Sequence, residues 1–249
     1  MSLFEFSALS EQGLDPDGND DFVAMDPELG AFVIADGMGG RPGGSQASTV
    51  AAETFLEYMR RLDAPSRLDE SSLRGAVAVA NSAVRSLGET NPMLSGLGTT
   101  LSAVVLDGPR GKTVHVGDSR IYRFGAGRLE RLTRDHTLVA ELVERNELSA
   151  EAAKRHPLRN VLSRSLGMPQ TVEPDICDLE LGPEDWLMLT TDGLAAALSE
   201  EDLSGILREC RYESAEGICT AVMDAAMANE PEDNVTVAAV RLKSLVSAG

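Results

Sequence analysis

Apolar positions along the chain recur with two different periods, and segments of each kind come in blocks. Phe22–Met25 and Ala31–Ala35 are short apolar runs on either side of the turn-rich Asp26-Pro27-Glu28-Leu29-Gly30, which predicts a hairpin. Ala47, Ala51, Phe55, Tyr58, Met59 and Leu62 then keep the 3.6-residue period of an amphipathic helix, and Leu73–Leu87 predicts a second. Strand-like runs follow at Thr99–Leu106, Thr113–Val116, Ile121–Phe124 and Arg128–Leu132, separated by glycine-rich turns. Asp135–Glu147 and Ala150–Arg155 read as helices, the latter capped by Ser149. Cys177–Leu181 and Trp186–Thr190 return to strand. Ser199-Glu200-Glu201-Asp202 is a capping-box-like start for a helix with Leu203, Ile206, Leu207 and Cys210 on one face. A last helix over Ala215–Ala228 precedes the strand Val235–Val240. Blocks of strands and helices, rather than strict alternation, predict an α+β fold. No repeat, low-complexity tract or long linker divides the chain, so residues 1–249 read as one domain with a small helical excursion at about 136–157.

Composition narrows the classes. A chain of 249 residues with 43% hydrophobic and 25% charged residues can bury a sizeable core and is not disordered. No apolar run is long enough to span a bilayer, and Met1–Gln12 has an acidic rather than basic start, so a soluble cytoplasmic chain without a signal peptide is expected. The net charge of −18 argues against nucleic acid and anionic membranes as partners. From Arg110 to Arg164, however, 12 Lys/Arg stand against 7 Asp/Glu, which reads as a solvated arginine-rich sheet face or a surface for an anionic partner. Cys177, Cys210 and Cys219 show no zinc spacing, and none has an arginine six positions on, so a cysteine phosphate cradle is excluded. With three histidines in all, any metal site must rest on oxygen.

The aspartates fall where strands begin or end. Phe32–Ala35 runs into Asp36-Gly37, Trp186–Thr191 into Asp192-Gly193, and His115-Val116-Gly117 into Asp118. Asn19-Asp20-Asp21 opens Phe22–Met25, and Asp233-Asn234 opens Val235–Val240. If Met25 pairs with Ala31 across the turn, Asp20 falls opposite Asp36, and like charges so placed call for a neutralising partner. Carboxylates clustered without histidine or thiolate suit hard cations, Mg²⁺ or Mn²⁺. Two rival motifs fail. Asp15-x-Asp17-x-Asn19 lacks the glycine and glutamate of a calcium loop, and Gly39–Gly44 is followed by Ser45-Gln46 where a nucleotide loop needs Lys-Ser/Thr.

Taken in order, these motifs resemble those of the metal-dependent serine/threonine protein phosphatases of type 2C in their small bacterial form. The resemblance rests on Asn19-Asp20-Asp21, Ala35-Asp36-Gly37-Met38-Gly39-Gly40, Gly98-Thr99-Thr100-Leu101 and His115-Val116-Gly117-Asp118-Ser119-Arg120-Ile121-Tyr122. It continues through Leu132-Thr133-Arg134-Asp135-His136, Asn160–Gly167, Thr191-Asp192-Gly193-Leu194 and Asp233-Asn234-Val235-Thr236-Val237. It implies a four-layer α-β-β-α sandwich with two antiparallel sheets and two Mn²⁺ or Mg²⁺ ions, with a third position, between their rims. Asp36 would bridge the ions, with the Gly37 carbonyl on one. Asp192 and Asp233 would complete one site and Asp20 the other, and Asp118 with Asp192 would hold the third ion. Asp21, grouped with Asp36, Asp192 and Asp233 as catalytic, and Asn234 would hold waters around the metals. The implied reaction is hydrolysis of phosphoserine and phosphothreonine in proteins by a hydroxide bridging the ions.

Three positions depart from the family's pattern. Pro16 stands where members usually carry a phosphate-gripping arginine, Asp20 replaces the usual glutamate, and Arg41 stands where bacterial relatives often have histidine. Arg41, on the glycine-rich turn beside Gly37, is the candidate substrate-binding cation. The expected setting is a monomeric signalling enzyme acting on phosphorylated proteins opposite a serine/threonine kinase. The alternative, from a different class, is a non-catalytic relative that binds phosphoproteins or a partner kinase. Hydrolysis of p-nitrophenyl phosphate with Mn²⁺ and with chelator separates the two.

Overall fold

A computed structural model describes residues 2–14, 16, 18–39, 43–94, 96–168 and 170–243. The strands are β1 (Phe4–Glu11), β2 (Asp21–Asp26), β3 (Ala31–Met38), β4 (Gly98–Thr99), β5 (Leu101–Asp107), β6 (Arg110–Val116), β7 (Arg120–Gly125), β8 (Arg128–Arg131), β9 (Asp175–Glu180), β10 (Trp186–Thr190) and β11 (Val235–Leu242). The α-helices among the described residues are α1 (Gly43–Arg60), α2 (Glu70–Thr90), α3 (Leu138–Glu144), α4 (Ala150–Ala153), α5 (Asp192–Ala197), α6 (Glu200–Glu209) and α7 (Ala215–Met227).

Two antiparallel sheets form, one in the order β1-β11-β10-β7-β8 and the other β2-β3-β5-β6-β9, with β4 paired to the end of β3. Strand periodicity explains the layers. On β3, Ala31, Val33 and Ala35 pack under α1 and α2 with Phe55, Met59 and Leu73, whereas Phe32 and Ile34 point the other way. There they meet Ile121, Leu187, Leu189 and Val240 of the first sheet. The outer face of that sheet, with Trp186, Met188, Val235, Val237 and Ala239, lies under α6 and α7. Strands buried on both faces read as continuous apolar runs, which is why β3 and β10 were legible without strict alternation. The α-β-β-α order is the four-layer sandwich that the family resemblance implies.

Several elements differ from expectation. Strand β1 has no predicted counterpart: serine and alanine dilute its alternation, and its partner β11 lies at the other end of the chain. The predicted strand Thr99–Leu106 breaks at Thr100, whose amide donates to the Asp36 carbonyl instead of a ladder (2.9 Å). The predicted helix Asp135–Glu147 starts only at Leu138, because Thr137 caps it by accepting from the Ala140 amide (3.2 Å). Ser199 does close a capping box with Asp202. The hairpin register moves by one residue. Asp26 pairs with Ala31, so Asp21, not Asp20, stands opposite Asp36. Asp26 belongs to the strand rather than the turn, because its Oδ1 accepts from the Glu28 and Leu29 amides (3.2 and 3.1 Å) and holds a four-residue turn closed by Gly30 at φ +68°.

Candidate metal centre

Chain direction places the aspartates together. β3, β6 and β10 end at the rim of the sandwich where β2, β7 and β11 begin, so Asp36, Asp118, Asp192, Asp20, Asp21 and Asp233 come to one end of the two sheets. Asp36 is held at its backbone. Its amide donates to Thr100 Oγ1 (2.9 Å), and its carbonyl accepts from Thr99 Oγ1 (2.9 Å). Thr100 Oγ1 also meets Ser119 Oγ at 2.8 Å, which ties the Asp36 turn to that of Asp118.

Asp20 and the Gly37 carbonyl converge on Gly44 at the start of α1. A Cβ on Gly44 would collide with Asp20 Oδ2 and lie 3.0 Å from Gly37 O, so the absent side chain leaves a cradle that both oxygens face. Ser48 Oγ donates to the Asp20 carbonyl (2.6 Å) and Gly37 N to the same oxygen (3.2 Å). The loop before β2 is stitched to the start of β11. Asn234 Oδ1 accepts from the Asp20 amide (2.9 Å), and Asn234 Nδ2 donates to the Gly18 carbonyl (2.9 Å). The Asn234 side chain thus acts as a strut between the sheets. Asp21 Oδ2 accepts from both Thr191 Oγ1 (2.8 Å) and Thr236 Oγ1 (2.7 Å). Asp192 opens α5 rather than merely ending β10, and its Oδ1 is buried with no hydrogen-bond partner among the described residues. Asp233 is exposed at the mouth, its Oδ1 accepting from the Asn234 amide (2.8 Å).

Burial and mutual repulsion dominate the electrostatics of these carboxyls. Burial, then the charges of Asp192, Asp21, Asp118 and Asp233, push the Asp36 carboxyl well above the usual carboxylate range. Burial lifts Asp21 to about 7 against the two threonine hydrogen bonds, with Asp192 and Asp233 adding to the rise. Asp118 is pushed to about 8, by burial first and then by Asp192 and Asp135. Burial and Asp233 raise Asp192, while a hydrogen bond with Asp36 and the Arg120 guanidinium pull it back. Among the described residues no three of these side chains close around a single point. The carboxylates line an open rim, where an ion would draw on nearby carboxylates, a backbone carbonyl and water, as Mg²⁺ ordinarily does. An all-oxygen donor set, a buried Asp192 oxygen lacking a partner and the Gly44 cradle fit a hard divalent cation.

Sequence reasoning brought together the carboxylates but not their supports. Thr100, Ser48, Thr191 and Thr236 were not singled out for these roles, although buried threonines at the ends of apolar strands are a readable signal. Pro16 is exposed, and Arg41 lies outside the described residues, as do Asp15 and Asp17 of the rejected calcium loop.

Comparison with known proteins agrees with this arrangement. Residues 17–229 match the model of a family described as protein phosphatase 2C. The serine/threonine protein phosphatase PstP of Mycobacterium tuberculosis is 34% identical over 237 residues, 94% of this chain and 44% of PstP. The chain thus spans less than half the length of that relative. The serine/threonine phosphatase stp of Listeria welshimeri is 33% identical over 207 residues, 82% of this chain and 81% of the relative. Among solved structures, the catalytic domain of PstP in complex with two manganese ions superposes with a TM-score of 0.84 at 30% identity, covering 96% of this chain and 98% of that one.

Proposed function

The chain belongs to the protein phosphatase 2C family, and from that premise we propose that it hydrolyses phosphoserine and phosphothreonine in proteins with the help of Mn²⁺ or Mg²⁺. The observation that carries the reading is the gathering of six aspartates at one rim, four of them with raised pKa values. Asp36 would be shared between two ions, with Asp192 and Asp233 toward one and Asp20 and the Gly37 carbonyl toward the other. Asp118 with Asp192 would serve a third. Bound there, the ions supply charge to neutralise phosphate oxygens and acidify a water.

The protein's own part is to hold this rim rigid. Thr99 and Thr100 fix the Asp36 backbone, Thr191 and Thr236 orient Asp21, and Asn234 locks the loop that carries Asp20. Cationic help for the phosphate falls to Arg41, since Pro16 offers neither charge nor backbone donor. The reading takes residues 1–249 as one catalytic domain with a flap at about 136–157, a cytoplasmic monomer in signalling that opposes a serine/threonine kinase. No described helix is long and apolar enough to cross a membrane.

The test is hydrolysis of p-nitrophenyl phosphate and a phosphothreonine peptide in Mn²⁺ and in chelator. Metal-dependent turnover is expected, with Asp36→Asn, Asp192→Asn and Asp233→Asn each lower by about a thousandfold while folded. Turnover retained in Asp36→Asn would overturn the shared-ion assignment. No turnover with retained phosphopeptide binding would favour a non-catalytic binding module.

A further inference from the structure

Asp118 sits on a turn tied down on its far side by Ser119, whose hydroxyl meets Thr100 Oγ1 at 2.8 Å. Gly117, just before it, adopts φ +112°, and a Cβ there would strike Thr100, so the near side of the turn has no side chain to pack. That side is gripped by two adjacent residues at the base of the excursion between β8 and β9. The His136 amide donates to the Gly117 carbonyl (2.7 Å), and the Gly117 amide donates back to His136 Nδ1 (3.2 Å). On the far side of Asp118, Asp135 takes the Arg120 guanidinium with both oxygens (Nε to Oδ1 3.2 Å, Nη2 to Oδ2 2.9 Å).

The His136 ring is itself fixed. Because Nδ1 accepts from an amide, its proton is on Nε2, which donates to Asp175 Oδ2 (3.1 Å). Arg164 Nη1 donates to the other Asp175 oxygen (2.7 Å). The ring also lies 4.7 Å, centroid to centroid, from His115, which accepts from Ser102 Oγ at Nδ1 (2.8 Å) and donates from Nε2 to the Arg134 carbonyl (2.9 Å). His136 is buried at 2% exposure, so its Nδ1 bond to Gly117 is shielded from water, while Asp175 stands partly open to solvent.

We propose that Asp135 and His136 are positioning residues that bracket Asp118 by gripping Arg120 on one side and Gly117 on the other, setting the carboxylate for the third ion. The inference rests on the proposed role of Asp118 at that ion. His136 acts through the Gly117 peptide, and Asp135 acts through Arg120.

Two substitutions separate the ring's contacts. The side-chain carbonyl of His136→Asn can stand where Nδ1 stood and keep the Gly117 bond, whereas His136→Gln reaches only toward the Nε2 side. Amide exchange in metal-free protein and Mn²⁺ titration calorimetry are the readouts, with Asp118→Ala as the benchmark. In wild type the Gly117 amide should be protected without metal. His136→Gln should speed its exchange by at least tenfold and weaken, by about ten- to a hundredfold, only the ion that Asp118→Ala also loses. His136→Asn should stay within about threefold of wild type, and Asp135→Asn should weaken the same ion. If His136→Gln does not fold, the wild-type Gly117 exchange and Asp135→Asn still decide. An unprotected Gly117 amide, or equal ion binding in the Gln and Asn variants, overturns the bracket. Full ion binding by Asp118→Ala overturns the underlying assignment of Asp118, a failure the exchange data tell apart from failure of the grip.

Discussion

Raising the pH on metal-free protein should destabilise it. The native state keeps Asp118 and Asp21 protonated up to about 8 and about 7, while the unfolded chain ionises them near 3.8. A raised folded pKa contributes stability that is complete below the unfolded value and lost as pH climbs through the folded one, because the native state then binds more protons. Below pH of about 6.5 the buried His115, held neutral with its pKa lowered to about 4, acts in the opposite sense, since the unfolded chain takes up a proton there. The clean window is therefore about pH 6.5 to 8.5. Across it Asp118 alone gives up about 2 kcal/mol and Asp21 about 1 kcal/mol more, at roughly 1.4 kcal/mol per unit. For a chain of this size, on the order of 3 kcal/mol lowers the thermal midpoint by about 6–12 °C. Calorimetry in chelator at the two ends of the window measures it. In millimolar Mn²⁺ the slope should vanish or reverse, because the ionised carboxylates are then the form that binds. A metal-free midpoint that is flat or rises toward pH 8.5 would refute the confined-anion reading of the rim.

Two further predictions concern the ligand cradle and the phosphate. Gly44→Ala puts a methyl where Asp20 Oδ2 now lies; calorimetry should find Mn²⁺ affinity down about tenfold, with metal-free stability within roughly 1 kcal/mol because alanine favours helix α1. Wild-type Mn²⁺ binding by a folded Gly44→Ala would remove Asp20 from the ligand set. Arg41→Ala should raise KM for a phosphopeptide by about tenfold, the loss of one charged hydrogen-bonded contact, and Pro16→Arg should lower it. Steady-state kinetics of both variants check this, and an unchanged KM in Arg41→Ala would leave the metals as the sole phosphate holders.

How far the chain could be read depended on the range of each interaction. The strands that carry aspartates were legible because both faces of β3 and β10 are buried, and an apolar run closed by a carboxylate stands out in one dimension. The Asp20–Asp36 pairing was off by a residue because the side chain of Asp26 decides where the turn begins, and composition of the turn does not record that. Thr191 and Thr236 support Asp21 only because β10 and β11 are neighbours. The grip of His136 on Gly117 likewise depends on where the excursion leaves the sheet, a fact of tertiary placement. Local chemistry survives in the sequence, whereas contacts between distant segments do not.

That division has a physical consequence for the rim. Holding Asp21 and Asp118 at pKa values near 7 and 8 is a cost that a loop on a fluid scaffold would relieve by moving apart. Here it cannot. The layer between the sheets, with Phe32 and Ile34 against Leu187 and Leu189, is apolar and fully buried, and it fixes which strand ends face one another. Each such side chain contributes about 1.5–3 kcal/mol by burial, so two of them offset one strained carboxylate. The cation-seeking strain at one end of the sandwich is thus sustained by apolar packing along the strands behind it. For that reason the aspartates can be separated in sequence and still act as one site.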